Sequence, residues 1–90
     1  MFEFDFSVRL RKKLKKLAKK DKIIARIFQK KYNEVINRNS VNINSYKNLR
    51  SPLNEFKRIH LTDNYILLFK VEKEINLITF VDILHWDNAY

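Results

Sequence analysis

The sequence predicts an α+β domain in which an N-terminal strand and a basic helical hairpin pack on a small, mostly antiparallel four-stranded sheet. Three observations lead there. Phe2, Phe4 and Phe6 alternate with Glu3 and Asp5, a period of two. Apolar residues then recur at helical spacing from Leu10 to Ile36. Beyond Pro52 the period returns to two and holds to Leu84. Ninety residues, 46% apolar and 32% charged, suit one domain over residues 1–90 and exclude a low-complexity tail.

Each element carries its own local signals. Ser7 stands where a helix N-cap belongs, with its hydroxyl placed to accept from the first free amides. Leu10, Leu14 and Leu17 form the apolar stripe of the helix that follows. Asp21 is a second N-cap, and Ile24, Ile27, Phe28, Val35 and Ile36 carry the next helix to about Arg38. So short a joint predicts an antiparallel helix pair. Asn39 to Pro52 is polar and irregular, with Leu49 as its apolar anchor. Phe56–Leu61, Tyr65–Val71 and Ile75–Leu84 read as strands, broken at Thr62–Asn64 and Glu72–Glu74. Tyr65, Leu67, Phe69 and Val71 share one face, while Ile66 and Leu68 make the other apolar too. Those strands are therefore covered on both sides or await a partner.

The missing residue types exclude several functions. There is no glycine, so GxGxxG loops, P-loops and glycine-built phosphate nests are out, and no nucleotide cofactor is expected. Turns that need a positive φ fall to Asn, with Asn39, Asn64 and Asn88 as the leading candidates. Without cysteine there is no disulfide, thiolate zinc site or Cys nucleophile, and two histidines suggest no metal site. No apolar run reaches the roughly 18–20 residues of a membrane span, and no secretory apolar core follows the start. A cytoplasmic protein with no membrane partner is the expectation.

Charge placement is the first positive clue. Residues 1–31 hold twelve Lys/Arg against Glu3, Asp5 and Asp21, whereas residues 32–90 hold seven of each sign. The whole +9 excess thus lies in the first third of the chain. Eight basic residues between Arg9 and Lys20, with no acid among them, repel one another along the helix. Such a face draws polyanions and makes their binding salt-dependent. Lys12, Lys13 and Lys16 are its candidate RNA-binding residues.

Only two histidines are present, and both sit where a strand gives way to a loop. His60 follows Lys57 and Arg58, and His85 stands five residues before Tyr90. A phosphodiester is cleaved without metal when one group takes the 2′-OH proton, another protonates the leaving oxygen, and cations steady the phosphorane. His60, His85 and Tyr90 have the chemistry for the proton work, and Lys47, Arg50, Lys57 and Arg58 for the charge work. Trp86 is a packing residue or a platform for an exposed base.

The run Lys47-Asn48-Leu49-Arg50-Ser51-Pro52-Leu53-Asn54-Glu55-Phe56-Lys57-Arg58-Ile59-His60 resembles the K-L-x-G-P-L-x-G-Y-R-x-H passage of RelE/ParE-superfamily toxins. Tyr65 to Val71 is similar to their Y-R-I-L-Y-x-V strand, and His85 to Tyr90 to their H-R-x-D-V-Y ending. The order of elements matches, with the basic helical hairpin in front. The family's glycines are replaced by Arg50 and Asn54, and two of its arginines by Ile66 and Trp86, so the pattern lies nearer YafQ-like members. The resemblance implies a type II toxin: an mRNA endoribonuclease, acting on the ribosome without a metal and inhibiting translation. It makes His85 the principal acid–base residue, supported by His60, with Asp63 a helper at the hairpin turn. The implied partners are mRNA, ribosomal RNA and a cognate RelB-like acidic antitoxin. A ParE-like gyrase inhibitor and a non-catalytic basic nucleic-acid-binding module are the alternatives.

Overall fold

Ser7 closes the first strand and opens the first helix in one residue. Its Oγ accepts from the Leu10 amide at 3.0 Å and donates to the Val81 carbonyl, tying the helix start to the last strand. The computed structural model describes residues 1–85. It places β1 at Glu3–Phe6, α1 at Val8–Lys20, α2 at Lys22–Ile36, β2 at Lys57–His60, β3 at Tyr65–Glu72 and β4 at Leu77–His85. Asp21 alone separates the helices. Its amide donates to the Leu17 carbonyl at 2.8 Å while its carboxylate accepts from the Ile23 amide at 2.9 Å. It therefore ends one helix and caps the next.

The sheet runs β1-β4-β3-β2, with β1 parallel to β4 and the other pairs antiparallel. The expected α+β architecture is observed: two helices on a four-stranded mixed sheet. The first strand lies beside the last, but it covers β4 only from Leu77 to Phe80. Past Phe6 the start of α1 takes over that edge: the Ser7 amide donates to the Phe80 carbonyl at 2.9 Å, and Lys13 Nζ to the Ile83 carbonyl at 2.9 Å. The outer edge of β2 is partly covered as well, where the Arg58 amide donates to the Lys47 carbonyl at 3.0 Å.

Leu10, Phe28, Val35, Leu67, Phe69, Ile78, Phe80 and Ile83 form the core between helices and sheet. Within it the rings of Phe6, Phe28, Tyr32 and Phe80 stand 5.2 to 6.0 Å apart, a spacing at which aromatic pairs attract beyond their area. On the other face Ile66 and Leu68 are buried with Leu49, Phe56 and Leu84. The second apolar face is thus covered by the chain's own irregular segment. That segment has two anchors, since Ile43, in the 3-10 turn Asn42–Ser45, is fully buried alongside Leu49. Lys57 fastens it further, its Nζ donating to the Tyr46 carbonyl at 3.0 Å and to Asn48 Oδ1 at 2.9 Å.

Three local expectations are corrected. Among the described residues the positive φ, 54°, belongs to Asn76 rather than Asn39 or Asn64; Asn88 lies outside the described residues. Asn39 instead accepts the Val41 and Asn42 amides on its side chain at 2.9 and 2.8 Å, which builds its turn with an ordinary backbone. Ile75 belongs to the 3-10 turn Lys73–Ile75 and is exposed, so β4 begins at Leu77. Finally, β4 does not alternate without interruption. Phe80 pairs with Phe69 and Asp82 with Leu68, leaving Val81 as the extra residue of a β-bulge. The bulge resets the phase: Ile78 and Phe80 face the helices before it, and Ile83 and His85 after it.

Candidate active site

Side chains directly opposite in an antiparallel ladder lie on the same face of the sheet. His85 is opposite Tyr65, and their rings meet edge to face with centroids 5.6 Å apart. Both line a groove of about 290 Å³ between α1 and the end of the sheet, together with Lys16, Lys20 and Leu17. Lys13, Lys16 and Lys20 share one stripe of α1, at helical spacings of three and seven. An exposed imidazole therefore stands under two exposed ammonium groups beside an aromatic ring. That set can move a proton, hold a phosphate and stack against a base.

His60 does not join it. Its partner is Ile66, on the face covered by Leu49, and β3 stands between β2 and β4. The two histidines sit near the same end of the sheet but project from opposite faces, because each strand alternates and their ladder positions on β3 differ by one residue. The expectation that His60 supports His85 in one acid–base site is corrected accordingly. His60 instead borders a cleft of about 410 Å³ at the β2 edge with Lys31, Lys47, Arg58 and Tyr46. Asp63 is exposed in the β2–β3 turn, and Arg50 is exposed in the loop before β2. Trp86 and Tyr90 lie outside the described residues.

The cations divide by what holds them. Lys12 and Lys16 border an outer groove of α1 with Lys15 and Lys19. Lys13 is an internal partner instead, 2.7 Å from Asp82, and Lys57 is a brace whose ammonium is held by Tyr46 and Asn48. Burial, and then the nearby charge of Lys73, push the Lys57 pKa below its usual value. Among the described residues no three His, Cys, Asp or Glu side chains converge as metal ligands would, and no helix is long and apolar enough to cross a membrane.

No family model matches the chain. A Methanocaldococcus jannaschii protein named "Putative toxin RelE4" is 40% identical over 90 residues, covering 100% of this chain and 92% of its own. The chain belongs to the RelE-like toxin family. Solved structures agree on the fold. YafQ from E. coli superposes with a TM-score of 0.74 at 17% identity over 100% of this chain and 99% of its own. The toxin-antitoxin complex RelBE from E. coli gives 0.71 at 23% identity over 92% and 94%.

Three residues of this toxin's two clefts escaped sequence reasoning. Tyr65 reads as a core residue from its alternation, yet the hairpin register sets it against His85. Lys20 and Lys31 lie in a run of lysines whose spacing alone does not say which face a cleft. The helical stripe through Leu10, Leu14 and Leu17 was the available signal for Lys20, since Lys13, Lys16 and Lys20 flank it on one side.

Proposed function

We propose that this RelE-family toxin is an endoribonuclease that cuts mRNA on the ribosome, with His85 as its acid–base group. The single observation that carries the reading is the groove in which His85 lies against Tyr65 beneath Lys16 and Lys20. The His85 imidazole takes the proton of a ribose 2′-OH; the freed oxygen attacks phosphorus and the P–O5′ bond breaks. A groove ammonium, Lys16 or Lys20, protonates O5′ on the leaving side and recovers its proton from the imidazolium through solvent, leaving a 2′,3′-cyclic phosphate and a 5′-OH. Lys16 and Lys20 stabilise the negative charge of the phosphorane, and Tyr65 offers a ring edge to the neighbouring base. No metal takes part in this scheme. His60, with Lys31, Lys47 and Arg58, holds the RNA strand at the β2 edge, while Lys12, Lys15 and Lys19 face ribosomal RNA phosphates. Arg50 adds its charge to RNA binding, and Asp63 and Tyr90 assist the acid–base step, roles that rest on the family resemblance.

The partner is an acidic, helix-forming antitoxin. A structural neighbour of the chain is a toxin-antitoxin complex, and the cationic α1 offers the complementary charge. Recognition rests on charge more than on an open apolar face, because Ile66 and Leu68 are already covered by Leu49, Phe56 and Leu84.

The test is to map mRNA 5′ ends after induction of the wild-type chain and of His85→Ala. Wild type should give new ends within translated codons, and His85→Ala should lower purified cleavage by about 10²–10⁴ with folding intact. EDTA should leave the wild-type rate unchanged. Growth arrest with unaltered mRNA and inhibited gyrase would overturn the reading in favour of a ParE-like activity. Cleavage by folded His85→Ala at the wild-type rate would remove His85 from it.

A further inference from the structure

Asp82 is the one buried charged side chain among the described residues. It sits at the bulge of β4, where β1 has ended and α1 has taken over the strand edge. Its Oδ1 lies 2.7 Å from Lys13 Nζ and also accepts from the Ile83 amide at 2.9 Å, while Arg9 approaches Oδ2 at 3.7 Å. The same Lys13 Nζ donates to the Ile83 carbonyl at 2.9 Å. One ammonium is thus fastened at two points to the strand, three and two residues before His85.

The attachment fixes more than Lys13. Leu10, Leu14 and Leu17 hold α1 to the sheet by an apolar stripe, and such a stripe specifies rotation about the helix axis only loosely. Lys13 adds a polar pin on the stripe that continues to Lys16 and Lys20. We infer that Asp82 is a positioning residue for the His85 site: through Lys13 it sets the register of α1 against β4, and so the distance of Lys16 and Lys20 from the imidazole. The bulge turns His85 toward the helix, and the ion pair brings the helix to His85. Displacements near 1 Å at such a site cost on the order of 10² in rate. The inference rests on the reading of His85 as the acid–base group.

The experiment compares the full chain with Asp82→Asn and Lys13→Arg, each shown folded by circular dichroism at the assay temperature. Cleavage is measured on mRNA in programmed ribosomes, and the His85 ring protons are followed by NMR without RNA. Asp82→Asn should lower kcat by about 10–100-fold with KM within about twofold, since the cations that attract RNA remain. Its His85 resonances should shift as the Lys16 and Lys20 charges move relative to the ring. Lys13→Arg should keep kcat within about threefold, because a guanidinium still reaches the carboxylate. If Asp82→Asn does not fold, Lys13→Gln, at a half-exposed position, takes its place with the same expectation for kcat and for the His85 resonances. A folded variant with wild-type kcat, unmoved His85 resonances, or a loss in Lys13→Arg equal to that of Asp82→Asn would each overturn the inference. A wild-type chain that cuts no RNA overturns the endoribonuclease reading instead, and the resonances still decide whether Asp82 positions His85.

Discussion

Replacing Lys12, Lys15 and Lys19 together with Gln separates polyanion binding from the rest of the molecule. All three are exposed and border one groove of α1. Lys13 and Lys16 are left in place, because the first is paired with Asp82 and the second faces His85. The change lowers the net charge from +9 by three. On a single strand each neutralised phosphate contributes roughly 0.7 to the slope of log affinity against log salt, so the slope should fall by about 2. With affinity at 1 M salt unchanged, that amounts to roughly 100-fold weaker binding at 0.1 M. Gln and Lys have similar helix propensities, and the substitutions remove like-charge neighbours three and four residues apart, so the thermal midpoint should not fall. Fluorescence anisotropy of a labelled RNA between 0.05 and about 0.5 M salt reads the slope directly. A slope within about 0.5 of the wild type would show that this face does not carry the RNA, and the reasoning from charge placement would be wrong.

Two further outcomes concern the fold that carries the site. Phe69 is fully buried between the Tyr46 and Phe80 rings, so Phe69→Ala should cost about 3–5 kcal/mol in urea unfolding. The pKa of Tyr46 is raised from its usual 10.0, first by burial and then by its hydrogen bond to Glu34. The folded chain therefore keeps a proton that the unfolded chain releases, and the Tyr46 contribution is present below pH 10 and lost as pH climbs through the raised value. Lys57 acts oppositely: its lowered pKa relieves a folding penalty as pH rises toward 10.5. Tyr46→Phe keeps Lys57, so the stability gap between wild type and variant isolates Tyr46. That gap should be constant from pH 6 to 9 and narrow above about 10; a gap that widens there would refute the assignment.

Much of this protein is local and was therefore readable in its sequence. Ser7 and Asp21 cap helices because their short side chains compete for adjacent amides, and that competition involves only the next few residues. The period of two through Tyr65 to Val71 and the helical stripe from Leu10 to Leu17 mark faces for the same reason. Family membership was legible in the order of short motifs around His60, Tyr65 and His85, and the M. jannaschii relative bears it out. The tertiary structure alone decided which strand lies beside which, that Leu49 and Ile43 close the irregular segment over the sheet, and that Lys13 meets Asp82 far along the chain. It also placed the histidines on opposite faces. Periodicity assigns a face only relative to its own strand; the register between strands and the extra residue at Val81 set which of those faces coincide. Both arise from contacts between residues distant in sequence, whose energies no local pattern records.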